Sequence, residues 1–435
     1  MPEISDILKI FNLGPQNFSL TSASIWRIVD AYLWLLLPLI LLLLLSPLKF
    51  FYIFWRRVRW DARIEKILLE IKIPKEVTKP IKAMEYAIAG LHGIHDPANF
   101  RERWIDGQFQ LSLSLEIVSL GGETHFFIRT PLPFRKHIES SIYAQYPEAE
   151  ISLVDDYTKY VPQDIPKKGW DLWGADFMIT KPDCYPIKTY PQFEVEQESK
   201  EERKVDPLAQ FLEGLSALKP GEQFWFQIII KPIIDEIPWV KRGKEIVDKL
   251  VRRPAIKVPQ SIIQEAAEVL VLGPTPTAPA EKELIPPEMK LTPGERVIVS
   301  AIEEKIGKFG FDTNIRFIYL GKEEVFFRPN LRIVMGYMKT LSTLNLNGLR
   351  PLPATMTKIM WFFRSRRLYI RKRRMFRYYQ KRWPTFFPRT GGTYVFNSEE
   401  IATLYHFPGR TVAPAPALPR VEAKKGEPPA DLPIE

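Results

Sequence analysis

His92 and His95 stand three residues apart with Asp96 beside them, a spacing at which two imidazoles and a carboxylate could meet one metal ion. The stretch from Leu91 to Pro97 reads instead as a helix end running into a loop, where histidine suits the C-terminal end of the helix dipole. His137, with Glu139 and Ser140 close by, offers the residue types of a general base and a nucleophile, but no third group to orient it. Asp155 and Asp156 follow a strand pattern, and paired acids there are the ordinary content of a solvated turn. Gly-Lys recurs at 243–244, 307–308 and 321–322, without a following Ser or Thr and without the earlier glycine of a phosphate-cradling loop. No catalytic set, metal site or cofactor loop emerges, and the chain reads as a non-enzyme.

The chemistry concentrates elsewhere. Residues 364–382, RSRRLYIRKRRMFRYYQKR, carry Arg364, Arg366, Arg367, Arg371, Lys372, Arg373, Arg374, Arg377, Lys381 and Arg382 with no acid among them. These ten cations equal the net charge of +10 on all 435 residues, so the remainder is formally neutral and the basic character is local. Phe362, Phe363, Tyr369, Phe376, Tyr378, Tyr379 and Trp383 interleave the charges. Arginine with aromatic faces suits phosphates and unpaired bases. The same mixture suits an anionic bilayer surface or an acidic patch on a protein partner, and position alone does not choose among the three.

The elements that must position this segment read as α+β. A strand at 67–73, an amphipathic helix at 79–91, strands around 109–115 and 124–129 joined at Gly121-Gly122, a helix through Phe134, Ile138 and Ile142, and a strand at 151–154 give a ferredoxin-like βαββαβ unit over 60–158. A second, looser ferredoxin-like unit spans 159–345, with strands at 176–180, 223–231 and 315–320, helices around 208–218 and 330–344, and a Pro-rich insertion around 253–293. Helices at 244–252, 262–269 and 295–308 border that insertion. The basic-aromatic segment follows over 355–390, then a strand-helix segment over 391–410, with Asn397 or Ser398 as the helix cap. A Pro-rich tail over 411–435 has too little apolar content to bury a core and is expected to be disordered.

Residues 31–55, AYLWLLLPLILLLLLSPLKFFYIFW, are apolar apart from Ser46 and Lys49. About 20 such residues cross a bilayer core, so a single transmembrane helix is expected, behind a short extracytoplasmic N-terminus at 1–30. Arg56, Arg57, Arg59 and Arg63 then place the bulk of the chain in the cytoplasm, beneath the inner membrane. The single Cys184 allows no internal disulfide and fits a reducing compartment.

The segments at 68–94, 114–151 and 206–232 resemble membrane-anchored proteins of type IV secretion or conjugation loci in candidate-phyla-radiation (Patescibacteria) lineages. TYVFNSEEIATLYHFPG at 393–409 resembles the lead-in to a HerA/FtsK-like coupling ATPase. The resemblance implies a non-catalytic platform that recruits a P-loop ATPase in trans, with Glu399, Ile401, Ala402, Leu404, His406, Phe407 and Pro408 as docking positions, self-association, and DNA as a further partner. The family's ATP hydrolysis attaches to no residue of this chain. The alternative is a membrane-tethered nucleic-acid-binding protein of DNA uptake or segregation.

Overall fold

The computed structural model describes residues 22–74, 79–167, 169–195, 206–233, 238–251, 291–360, 362–387, 391–409 and 420–421. The chain divides into two compact units, one holding residues up to Arg63 with 98–109, the other 64–97 with the chain from 110 onward. The expected helix 262–269, the N-terminal residues 1–21, nearly all of the Pro-rich insertion and all of the tail but 420–421 lie outside the described residues.

The apolar run near the N-terminus belongs to α1 (Ser22–Arg63), 42 residues in one helix. Among the described residues, however, no helix is long and apolar enough to cross a membrane, which overturns the expected transmembrane segment. In the described part of α1 the apolar stretch is broken at Ser46 and Lys49 and ends in Arg56, Arg57, Arg59, Asp61 and Arg63. Several of these side chains engage protein. Lys49 Nζ lies 4.6 Å over the Trp104 ring, and Arg56 reaches Asp106 at 4.0 Å. Trp60 meets Phe109 edge-on at 5.1 Å, so Phe109 belongs to this packing and not to a strand.

Among its described residues the second unit has ten strands: β1 (Lys66–Pro74), β2 (Leu113–Leu120), β3 (Glu123–Pro131), β4 (Glu150–Val154), β5 (Trp170–Ile179), β6 (Glu222–Pro232), β7 (Gly310–Lys322), β8 (Leu349–Pro351), β9 (Tyr394–Asn397) and β10 (Arg420–Val421). Gly121 and Gly122, both at positive φ, make the tight turn between β2 and β3, a conformation that glycine adopts at least cost. The sheet order is β10-β1-β3-β2-β6-β7-β5-β8, with β4 also on β1 and β9 also on β7. All pairings are antiparallel except the short parallel one between β1 and β10. The two units expected as separate domains are therefore one sheet. The path β4-β1-β3-β2 meets the path β8-β5-β7-β6 where β2 and β6 pair over eight positions from Leu113↔Ile230 to Leu120↔Gln223. Two amphipathic edges that would each be exposed alone bury one another there.

Among the described residues the other α-helices are α2 (Ile81–Leu91), α3 (Arg135–Tyr143), α4 (Tyr190–Val195), α5 (Ala209–Ser216), α6 (Pro238–Val251), α7 (Pro293–Ile306), α8 (Arg332–Thr340), α9 (Arg364–Lys381) and α10 (Ser398–Leu404). Alternation along the strands assigns the two sheet faces. Phe224, Phe226, Ile228 and Ile230 of β6 join the large core with α2, α3, α5, α8 and α10. Trp225 points the other way, into a smaller core with Leu68, Val118, Ile318, Met375, Phe376 and Tyr379. The last three of β6's neighbours in that list come from α9, so the basic helix covers the opposite face of the sheet. Helices α6 and α7 form a satellite around Cys184, Val247 and Ile302.

Candidate functional site

Beneath α9 the sheet carries a row of polar residues where apolar ones would be expected. The strand register aligns Glu116 with Gln227, Gln227 with Arg316, and Arg316 with Asp176, so four adjacent strands each place one polar side chain in a single line. All four residues are buried. Burying such groups is unfavourable unless each is paired, and the row's own members, Tyr157 and the residues just past α9 supply the partners.

Arg382, just past the C-terminal end of α9, sits in the left-handed region at φ 52°, which turns its guanidinium back under the helix. Its Nε and Nη2 donate to Glu116 at 2.9 and 3.1 Å, and Nη2 donates to Asp156 Oδ1 at 3.2 Å. Gln227 Nε2 donates to Glu116 at 2.9 Å, and the Tyr157 hydroxyl donates to the same carboxylate at 2.7 Å. Burial pushes the Glu116 carboxyl up, but the Arg382 charge and these hydrogen bonds outweigh it and hold the group below the usual carboxylate value. At the other end of the row, Arg316 Nε donates to Asp176 at 2.6 Å and Nη1 to the Trp383 carbonyl at 3.0 Å.

The ten cations of the basic segment thus divide by role. Arg382 and Lys372 are buried against carboxylates, Lys372 with Asp171. Arg371 holds the preceding loop through the carbonyls of Met356 at 2.9 Å and Lys358 at 3.3 Å. Arg364, Arg366, Arg367, Arg374, Arg377 and Lys381 are exposed, with Arg373 half-buried beside Tyr369. Among the described residues, no carboxylate lies within ion-pair distance of these seven. At 3.6 residues per turn, Arg366, Arg373, Arg377 and Lys381, spaced seven, four and four apart, form one outward stripe, the last three rising about 6 Å per step along the axis. Phe362 and Phe363, at 80% and 81% exposure, stand at the head of the same helix.

The residues singled out for docking lie elsewhere and inside. Glu399, Ile401, Ala402, Leu404, His406, Phe407 and Pro408 are all buried. Asn397 caps α10 in a reciprocal box with Glu400. Glu399 pairs with Lys308, and Glu400 meets Lys305 Nζ at 2.8 Å with both side chains fully buried. Phe407 packs edge-on against Tyr146 and Phe126 at 4.9 and 5.6 Å. His406 Nε2 lies 2.9 Å from Asp206 Oδ1, and its Nδ1 lies 2.9 Å from the Ala402 carbonyl. In this structure the segment is core, closing the large face of the sheet.

The other candidates do not converge. His92 Nε2 lies 2.9 Å from the Ile233 carbonyl, and His137 Nε2 lies 2.9 Å from the Gly90 carbonyl. Glu139 pairs with Arg135 at 2.7 Å, and Ser140 donates to the His137 carbonyl. Asp155 is exposed, whereas Asp156 caps Thr158 and holds Arg382. Among the described residues no three His, Cys, Asp or Glu side chains gather as a metal site.

Glu116, Gln227, Arg316 and Asp176 escaped the motif reading, yet each carries a signal. Each interrupts a largely apolar strand, and three of the four are charged: SLEIVSL, FWFQIII, NIRFIYL and GADFMI. A family model described as Domain of unknown function (DUF8128) matches residues 63–328, which takes in the whole polar row. No curated protein matches the chain.

Proposed function

The chain belongs to this family, and from its basic helix we propose that it is a non-catalytic platform that binds nucleic acid along the outer stripe of α9. In the type IV secretion or conjugation-like setting that the sequence resembles, the platform presents DNA to a P-loop ATPase carried on another chain. The observation that carries the reading is the division of the basic segment. The cations needed for folding are matched by Glu116, Asp156 and Asp171, while Arg366, Arg373, Arg377 and Lys381 have no carboxylate to neutralise them among the described residues. Like charges at this density repel one another, and a polyanion relieves that repulsion with release of its counterions. Exposed Phe362 and Phe363 add faces on which unpaired bases stack, which favours single-stranded nucleic acid.

The test is a salt titration of binding between the full chain and a single-stranded oligonucleotide. Each phosphate contact contributes roughly 0.7 to the slope of log K against log salt, so four contacts give a slope near −3. Binding to anionic vesicles with none to DNA would overturn the reading, as would a slope near zero. Co-purification of a P-loop ATPase with the full chain tests the second half of the proposal.

A further inference from the structure

A cavity of about 280 Å³ opens between the pocket-facing side of α9, the 354–359 loop and the end of the polar row. Its lining includes Arg316, Arg367, Arg371 and Arg374 against one carboxylate, Asp176, which Arg316 already occupies. Arg367, Arg371, Arg374 and Tyr378 follow at intervals of four, three and four, so they form one stripe of the helix, different from the outward one. Arg316 is fully buried. Its Nη2 has no hydrogen-bond partner, although Nε and Nη1 are both satisfied. Thr385 Oγ1, also on the wall, accepts from Asn314 Nδ2 at 2.7 Å, which leaves its hydroxyl hydrogen free to donate. Burial first, and then the nearby charge of Arg367, push the Arg371 pKa down. The lining also holds apolar side chains, Ile370 and Met375 from α9 itself and Ile359 and Phe386 from outside it.

We infer that this cavity is a binding site for a phosphate monoester with an apolar or aromatic substituent, of the class of nucleoside monophosphates. Three arginines in excess of the carboxylate match a dianion, and guanidinium forks hold phosphate oxygens bidentately. The volume is that of about nine waters, more than one phosphate fills, and the apolar members of the lining suit an apolar substituent on the phosphate. The inference does not rest on the outward stripe, because none of Arg366, Arg373, Arg377 and Lys381 lines the cavity. The phosphate could come from a free nucleotide or from the 5′ end of a nucleic-acid strand, and the test separates the two.

The full chain is titrated calorimetrically, at fixed ionic strength, with adenosine monophosphate, adenosine, and short oligonucleotides with and without a 5′-phosphate. Adenosine monophosphate is expected to bind and adenosine not. Tighter binding of the 5′-phosphorylated oligonucleotide than of the 5′-hydroxyl one identifies a strand end as the source, and equal binding identifies the free nucleotide. Arg374→Gln and Arg367→Gln change exposed side chains and leave the buried pairs intact, so these variants fold; each is expected to weaken nucleotide binding by about tenfold or more. Absence of adenosine monophosphate binding at about 1 mM, equal binding of adenosine, or unchanged affinity in both variants overturns the inference.

Discussion

Arg382 grips Glu116 across 266 residues of sequence, its Nε and Nη2 both on the carboxylate at 2.9 and 3.1 Å, with both side chains almost wholly shielded from water. This contact fastens the basic helix to the centre of the sheet. Breaking a buried pair from one side leaves an uncompensated charge and costs roughly 3–5 kcal/mol. Arg382→Met is therefore expected to destabilise the chain by about that amount in urea unfolding. The double variant with Glu116→Gln is expected to cost less than the two single changes added together, which a double-mutant cycle reads directly.

Gly174 marks where α9 crosses β5. A Cβ there would lie 2.7 Å from the Phe317 carbonyl oxygen and 3.2 Å from Met375 Cγ. Backbone cannot yield as a side-chain tip does, so Gly174→Ala is expected to cost about 1–3 kcal/mol. It would also raise hydrogen exchange in α9 more than in α2, on the other face of the sheet. Equal exchange in both helices would contradict the crossing as the point of strain.

His406 makes the chain pH-dependent. Both ring nitrogens face acceptors, Asp206 and the Ala402 carbonyl, so only the doubly protonated ring satisfies both. Burial pushes its pKa down, but Asp206 outweighs that and raises it above the usual 6.5. A raised histidine pKa stabilises fully below about 6.5, and that stability is lost as pH climbs through the folded-state value. Asp206 titrates in the opposite sense: its pKa is held below 3.8 despite burial, by the His406 charge, so its contribution is lost only as pH falls below that range. Unfolding free energy is expected to fall as pH rises above about 6.5, and His406→Gln to remove that component of the slope.

Lys305 and Glu400 form another buried pair, at the start of α10. Burial holds the Glu400 carboxyl above its usual pKa even with Lys305 beside it. Lys305→Met is expected to leave that carboxyl protonated at neutral pH and to lower stability by about 1–3 kcal/mol, the cost of a buried polar group that has lost its partner. Infrared spectroscopy of the carboxylic-acid stretch reads the protonation, and its absence in the variant would contradict the account.

The strands were legible because their apolar patterns are local. The run at 223–231 became β6, Gly121-Gly122 the hairpin, and Asn397 the cap of α10. The joining of the halves was not legible, since pairing between β2 and β6 depends on two edges more than 100 residues apart. The polar row fails for the same reason: Glu116, Gln227, Arg316 and Asp176 are each visible as an anomaly, but only register places them in line. At 399–408 the likeness to a docking segment concealed a plainer fact, that Ile401, Leu404 and Phe407 are spaced to fill a core. At 31–55, hydropathy predicted a membrane span, and the finding that no described helix is long and apolar enough to cross a membrane corrects it.

The central claim is that the outward cations of α9 bind nucleic acid while the inward ones hold the fold. The most direct measurement compares the salt dependence of single-stranded DNA binding for the full chain and for the triple variant Arg366→Gln, Arg377→Gln, Lys381→Gln, with the melting temperature of each recorded alongside. The account predicts an unchanged melting temperature and a slope shallower by about 2, from three lost phosphate contacts. An unchanged slope in the folded variant would contradict it.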